Sequence, residues 1–267
     1  MKVKTKSNLW RYPVLLLILF IYLVPIFVLI NISFKPQADL SSYWLFSNSP
    51  TWDNFIFAIN KGHIFNSMKN SLIVTAFSII LIVLVGALTS YPLARKQSKY
   101  TGFVRNFSLA IMMVPPLSIL VPLYVSLVGY GLINTYRGLI LTLLTFELPM
   151  SIFMFTNFIK AIPVALDGAG PARTFYQIIL PQLKPVTASV IILTGIQCWN
   201  DYQFSLYIMQ KTAMKTITVA ISSFFSQESS NLNAAAAAAL VVILPVVILF
   251  LALQQYFIKG MVDSAIK

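Results

Sequence analysis

The fold class follows from residues 12–33, YPVLLLILFIYLVPIFVLINIS, a run of 22 residues without a charged side chain. A helix of about 20 apolar residues spans the hydrocarbon core of a bilayer. Five more mostly apolar stretches follow, and the fourth and fifth contain one acidic residue each, Glu147 and Asp201. The pattern predicts an all-α integral membrane protein with six transmembrane helices, at 12–33, 70–94, 106–134, 138–159, 186–210 and 234–258. Prolines in these stretches predict kinks, at Pro115-Pro116, Pro122, Pro149 and Pro245.

The composition of the 267 residues excludes most other classes. Hydrophobic residues make up 58% of the chain, charged residues only 10%, and the mean hydropathy is +0.82. Soluble domains carry about 25% charged residues, so a water-soluble globule is excluded, as are disorder, collagen and a coiled coil. Cys198 is the only cysteine, so no intrachain disulfide can form.

The basic residues predict the orientation of the chain in the membrane. Thirteen of the 19 Lys and Arg residues lie in the N-terminal segment, the second and fourth connectors and the C-terminal segment. Because cytoplasmic segments carry an excess of Lys and Arg, both termini are predicted to be cytoplasmic. Topology therefore explains the basic pI, and no nucleic-acid partner is expected. Residues 1–69 are interpreted as a cytoplasmic segment, first helix and outer loop, 70–258 as a five-helix core, and 259–267 as a cytoplasmic tail.

The connector between the fourth and fifth stretches contains IPVALDGAGPARTFYQIILP, residues 162–181. Asp167-Gly168 is a turn signal, and Pro171 suits the first position of a helix. A short helix from there would carry one apolar face. That face could pack on the protein's own span ends, lie in the lipid interface, or dock on a cytoplasmic protein. Its members would be Ala172, Phe175, Tyr176 and Ile179, with Arg173, Thr174 and Gln177 facing elsewhere.

Gly168, Ile178 and Leu180-Pro181 resemble, at their spacing, the loop signature of ABC-importer permeases. The wider pattern, with Ile162-Pro163 and Phe175, is similar to the carbohydrate branch of that family, the maltose-type second permeases. Matching patches run along nearly the whole chain, among them Asn70 to Leu72, Tyr91 to Arg95, Gly131 to Tyr136 and Trp199 to Asp201.

The resemblance implies a type I ABC importer permease fold in a bacterial inner membrane. It also implies a sugar importer in which this chain forms the path with a second homologous permease chain. An extracellular or periplasmic sugar-binding protein would deliver the substrate. Two cytoplasmic ATP-binding subunits would hydrolyse ATP, and this chain itself would bind no cofactor. The ATPase would dock on loop 160–184, through Leu166, Asp167, Gly168, Ala169, Phe175, Ile178, Leu180 and Pro181.

One segment departs from the family pattern. Between the Ile-Pro pair and Asp-Gly the family has a helix with a Glu-Ala-Ala triplet, whereas this chain has only Val164, Ala165 and Leu166. The segment is short by roughly six residues, on the order of 1.7 helical turns. Three residues cannot form a stable helix unaided. The sequence therefore predicts weakened or altered coupling to the ATPase.

Two polar groups inside the spans are candidates for the substrate path. Glu147 lies about midway along the fourth span, where an ionised residue costs about 2.5–3.5 kcal/mol, so it should face a polar cavity or a partner. It could line a sugar path, or it could form an interhelical or intersubunit hydrogen bond, for example to Asn200 or Gln197. In the fifth span, Gln197, Trp199, Asn200 and Asp201 could bind a sugar, with an aromatic belt or ordinary packing as the alternative for Trp199.

The sequence predicts no enzyme. It contains no G-x-x-x-x-G-K-[ST] phosphate-binding loop and no recognisable arrangement of nucleophile, base and orienting group. His63 is the only histidine, so no multi-histidine metal site can form. Two other classes stay open from the residues: an ion-coupled secondary transporter using Glu147 or Asp201, and a non-transporting membrane scaffold.

Overall fold

The protein is described by a computed structural model, which covers residues 11–96, 98–163, 170–225 and 231–265. Within these residues the chain folds as helices and connectors, with no β-strand. A π-helical turn at Phe175–Ile179 lies between two short α-helices. The α-helices are α1 Arg11–Phe34, α2 Asp53–Asn60, α3 Ile64–Arg95, α4 Lys99–Ile111, α5 Leu120–Gly129, α6 Tyr136–Ala161, α7 Pro171–Thr174, α8 Leu180–Gln182, α9 Lys184–Asn200, α10 Gln203–Ile208, α11 Ile217–Ser222 and α12 Leu232–Ala265.

Four of the described helices are long and apolar enough to cross a membrane: α1, α3, α6 and the Leu232–Ala252 part of α12. They coincide with the first, second, fourth and sixth predicted spans. Two further spans are present if each of two bent helix pairs counts as one span. The first pair is Lys99–Ile111 with Pro116–Gly129, bent by 96°, and the second is Pro171–Gln182 with Lys184–Asn200, bent by 69°. The all-α membrane fold predicted from the sequence is therefore confirmed.

The third span is not the continuous helix that residues 106–134 predict. α4 ends at Ile111, a short 3₁₀ helix occupies Pro116–Ile119, and α5 starts at Leu120. The 96° bend lies at Pro115 and Pro116, where a kink was expected. Two consecutive prolines lack two backbone N–H donors, and each disfavours a helical residue before it. The break therefore follows from the proline pair, and only its size was not predicted.

The fifth span also differs from the prediction of one helix over residues 186–210. α9 ends at Asn200, and Asp201 has an extended backbone, with φ −60° and ψ 121°. α10 then starts at Gln203. The single acidic residue in this stretch thus marks the point where the helix stops.

The described chain forms two compact units. One comprises Met1–Ile64 and Ile221–Ile243, and the other comprises Phe65–Ala220 and Leu244–Lys267. In the second unit α3 and α6 approach closely at Gly86, because a Cβ there would collide with the Ser151 side chain. The Ser90 hydroxyl donates to the Ile152 carbonyl at 3.1 Å across the same contact. Small residues at such a contact are typical of packed membrane helices.

Candidate functional site

Glu147 lies near the middle of α6, half-buried, with buried Pro149 two residues further on. Glu147 and Asp201 both belong to the second unit, where two ionised carboxylates would repel each other. Among the described residues no hydrogen bond reaches the Glu147 carboxylate, so the bond to Asn200 or Gln197 that sequence allowed is not formed there. A carboxylate in this setting retains its full capacity to accept hydrogen bonds.

Asp201, by contrast, is fully engaged. Its carboxylate accepts hydrogen bonds from the Phe204 N–H at 3.3 Å, the Ser205 N–H at 2.8 Å and the Ser205 hydroxyl at 2.7 Å. These two N–H groups belong to the first turn of α10, which has no other partners for them within a helix. Asp201 therefore caps α10, and its backbone carbonyl also accepts the Thr218 hydroxyl at 2.6 Å.

The remaining residues of the predicted path divide by exposure. Gln197 and Asn200 are exposed and, being three residues apart on α9, lie on one face of the helix. Trp199 is only 5% exposed and Cys198 is buried as well. The indole of Trp199 therefore belongs to the packed interior of the unit.

Sequence reasoning missed the role of two asparagines, one near the start of α3 and one just before α6, whose side chains bond to distant parts of the chain. The buried Asn70 amide donates to the carbonyls of Ala213 and Lys215, both at 2.9 Å, and its oxygen accepts the Tyr136 hydroxyl at 2.7 Å. Asn134, at φ 57°, accepts the Lys211 N–H at 2.7 Å. An Asn at the start of a span is a weak signal, because its partners lie more than 60 residues away in the chain.

The segment predicted to dock the ATPase is described only in its second half, since Leu166, Asp167, Gly168 and Ala169 lie outside the described residues. Phe175 is buried, and the centroid of its ring lies 5.2 Å from the centroid of the Tyr91 ring. Ile178 is half-buried, whereas Leu180 and Pro181 are exposed.

The apolar face predicted for this segment is only partly correct. Phe175 and Ile179 are buried, but Ala172 and Tyr176 are exposed. The reason is the π-helical turn at Phe175–Ile179, which changes the angular spacing on which the α-helical pattern relied. Arg173 and Gln177 do face away, as predicted, and the Arg173 Nε donates to the Gln177 Oε1 at 2.9 Å.

These groups can bind a polar solute but offer no catalytic arrangement. Within the described residues no group of three or more His, Cys, Asp or Glu side chains could hold a metal ion. The Glu147 carboxylate, which accepts no hydrogen bond from a described residue, and the exposed amides of α9 suit a hydroxyl-rich ligand, since each can hydrogen-bond with hydroxyl groups.

The fold matches that of a solved transport protein. The crystal structure of a bacterial ABC transporter involved in the import of the acidic polysaccharide alginate has a chain that aligns with a TM-score of 0.76 at 17% identity, covering 96% of this chain and 100% of that one. At this identity the likeness concerns the fold alone. The fold is that of a multi-span helical membrane protein.

Sequence comparisons then specify the family. The model for binding-protein-dependent transport system inner membrane components matches residues 82–263. The melibiose/raffinose/stachyose import permease MelC of Bacillus subtilis is 38% identical over 253 residues, with 92% of each chain covered. The multiple sugar-binding transport permease MsmG of Streptococcus mutans is 30% identical over the whole of both chains, and the arabinooligosaccharide permease AraQ of B. subtilis is 30% identical over 92% and 91%.

This chain therefore belongs to the inner-membrane permease subunits of binding-protein-dependent carbohydrate ABC importers. The resemblance predicted from the loop signature is confirmed, as is the multi-pass location in a bacterial inner membrane. Members of this family are transport components without an enzymatic activity of their own. Neither the secondary transporter nor the scaffold is favoured by these relatives.

Proposed function

We propose that this chain forms one half of the path by which a di- or oligosaccharide enters the cell at the expense of ATP. The observation that carries the proposal is the 38% identity to MelC, a permease named for melibiose, raffinose and stachyose, across 92% of both chains. Relatives named for arabinooligosaccharides, trehalose and diacetylchitobiose support the same size of substrate.

In this proposal Glu147, Gln197 and Asn200 face the sugar. The free carboxylate accepts hydrogen bonds from hydroxyl groups, and the two exposed amides both donate and accept. Trp199 and Asp201, which the sequence predicted for the same path, do not contact the sugar in this proposal but support the residues that do. The buried ring of Trp199 supports α9, and the engaged carboxylate of Asp201 holds the break between α9 and α10.

The partners follow from the family. A second homologous permease chain completes the path, a sugar-binding protein outside the membrane delivers the substrate, and two ATP-binding subunits drive the cycle. The ATPase docks on residues 160–184, of which Tyr176, Leu180 and Pro181 are exposed. Phe175 and Ile179, buried in the second unit, would transmit the movement of the docked ATPase to the helices.

The short segment before Asp167 weakens this coupling in our proposal. Only Val164, Ala165 and Leu166 stand between Pro163 and Asp167, roughly six residues fewer than in the family pattern, on the order of 1.7 helical turns. With less helix to insert into each ATPase, less of the nucleotide-driven motion reaches the spans.

The test is the energy source of uptake. Cells carrying this permease with its cognate partners are given labelled raffinose or melibiose, and the initial rate is measured after ATP depletion and, separately, after collapse of the proton gradient. We expect uptake to stop in the first case and to continue in the second. The opposite result would identify an ion-coupled transporter and reject the proposal.

Coupling is tested by inserting a family-like segment of six residues before Asp167. We expect faster uptake and more ATP hydrolysed on addition of substrate. An insertion of six Gly and Ser residues at the same place is the matched control, since it restores length without a helix. Equal rates in all three proteins would reject the coupling deficit.

A further inference from the structure

The loop after α1, residues 35–52 in the first unit, is organised around a buried lysine. Lys35 is 0% exposed. Its Nζ donates to the carbonyls of Ser41 at 3.1 Å, Ser42 at 2.8 Å and Leu45 at 3.3 Å. The Asp39 carboxylate lies 4.0 Å from the same Nζ. The ammonium group thus gathers the loop backbone around itself.

A second side chain completes this arrangement. The buried amide of Asn31, in the last turns of α1, donates to the carbonyls of Tyr43 and Leu45. Together Lys35 and Asn31 bind the carbonyls of residues 41, 42, 43 and 45, four of five in succession. The Lys35 carbonyl is itself bound by the Asn54 amide at 2.8 Å. Five carbonyls of this non-helical backbone are therefore satisfied by side chains of the same unit.

The loop folds back along α1 rather than away from it. The Phe46 ring packs edge-on against the Phe27 ring, with 5.2 Å between centroids. Phe27 is seven residues before the end of α1, about 10 Å along the axis. The 24 residues of α1 span about 36 Å, against about 30 Å of hydrocarbon. Phe46 consequently lies level with the apolar part of the span.

The outward side of residues 40–46 is uncharged and mostly apolar, with Ser41 and Ser42 as its exposed polar residues. Leu40 is 94% exposed, Trp44 62% and Phe46 69%, and Tyr43 and Leu45 are exposed as well. The one acidic group nearby, Asp39, accepts hydrogen bonds from the Ser41 N–H and the Ser47 hydroxyl. This surface continues that of α1, which has no buried side chain between Arg11 and Ile30.

We propose that residues 40–46 are a membrane-inserted anchor, seated among the lipids of the leaflet in which α1 ends. Irregular backbone is tolerated at this depth where its polar groups are satisfied from within, and Lys35 and Asn31 satisfy the carbonyls of residues 41, 42, 43 and 45. Trp and Tyr side chains favour the boundary between headgroups and acyl chains. The Phe27–Phe46 contact fixes the depth, because it ties the loop to the most apolar of the spans.

The test measures where Trp44 lies. The full chain is reconstituted in vesicles of phosphatidylcholine and phosphatidylglycerol, with or without bromine on the acyl chains, and fluorescence quenching is compared between the wild type and Trp44→Phe. The difference reports Trp44 alone. We expect brominated lipid to quench it at least twofold more than aqueous iodide does. Stronger quenching by iodide would overturn the proposal.

The buried lysine is tested by Lys35→Met, with the exposed Lys61→Met as the matched control. We expect Lys35→Met to release the loop, so that iodide quenches Trp44 at least twofold more than in the wild type, while Lys61→Met has no effect. Unchanged quenching in Lys35→Met would overturn the role of the lysine. If that variant does not fold, the comparison of the wild type with Trp44→Phe still decides the proposal.

A protein partner is the other possible occupant, and the assembled importer separates the two. Quenching is repeated after addition of the companion permease and the sugar-binding protein. Retained quenching by brominated lipid supports the anchor. Loss of that quenching without a gain in iodide quenching would assign the face to a partner protein and overturn the proposal.

Discussion

Replacing Asp201 by alanine removes three hydrogen bonds at one point of the chain, the junction of α9 and α10. The Phe204 and Ser205 N–H groups and the Ser205 hydroxyl would lose their acceptor. Loss of a helix cap costs about 0.5–2 kcal/mol, and a hydrogen bond to a charged group contributes about 1.5–3 kcal/mol. We therefore expect Asp201→Ala to lower the free energy of unfolding by about 3 kcal/mol.

Cys198 provides the assay, because it is the only cysteine and is buried. A fluorogenic maleimide added in detergent during a temperature ramp reacts with it only as the chain unfolds. For a chain of this size about 1 kcal/mol shifts the midpoint by about 2–4 °C, so Asp201→Ala should melt roughly 6–12 °C below the wild type. Asp201→Asn should lie within a few degrees of the wild type, because asparagine caps helices about as well as aspartate.

Asp53→Ala is the matched control, since Asp53 is exposed and its carboxylate accepts no hydrogen bond from a described residue. It should shift the midpoint by no more than about 2 °C. An Asp201→Ala midpoint within that range would refute the structural role of Asp201. A large shift in Asp201→Asn, equal to that of Asp201→Ala, would show that the charge and not the hydrogen bonding is essential.

Three further outcomes are expected. Glu147→Gln should reduce sugar uptake at least tenfold while leaving assembly and the Cys198 midpoint unchanged; loss of assembly would instead favour an intersubunit bond. Asn70→Ala should destabilise by about 2–4 kcal/mol in the same melting assay, because it leaves two carbonyls and the Tyr136 hydroxyl unpaired, and a midpoint equal to the wild type would contradict this. Hydrogen bonds from Ser41 and then Ser47 hold the pKa of Asp39 at about 2, below the ordinary 3.8. The resulting stabilisation of the loop is complete above pH 3.8 and is lost as the pH falls towards 2, so Trp44 emission should change in that window in the wild type and not in Asp39→Asn.

The long spans could be predicted because burial in lipid demands an uninterrupted apolar run. α1, α3, α6 and the apolar part of α12 carry such runs, and they lie where the sequence placed them. The break at Pro115-Pro116 was also visible, since a missing N–H is a property of the residue itself. Its 96° angle was not, because that angle depends on what the two helix halves pack against.

The candidate site was less accessible from the sequence. An acidic residue in an apolar stretch predicts that its carboxylate has a particular role, but it does not show whether that role is to bind a ligand or to cap a helix. The Glu147 carboxylate in α6 accepts no hydrogen bond from a described residue, whereas Asp201 caps α10. The buried Lys35 gave no signal at all, because its partners at Ser41, Ser42 and Leu45 are backbone carbonyls, which every sequence contains.

Binding of an ATPase to the connector between α6 and α9 is tested most directly by a crosslink. A photoreactive residue is placed at the exposed Tyr176 and, as a control, at Tyr130, an exposed position predicted to lie on the opposite side of the membrane. After irradiation in cells, the captured protein is isolated and assayed for ATP hydrolysis. We predict an ATP-hydrolysing partner from position 176 and none from position 130. An ATPase captured from position 130, or from neither position, would contradict the account.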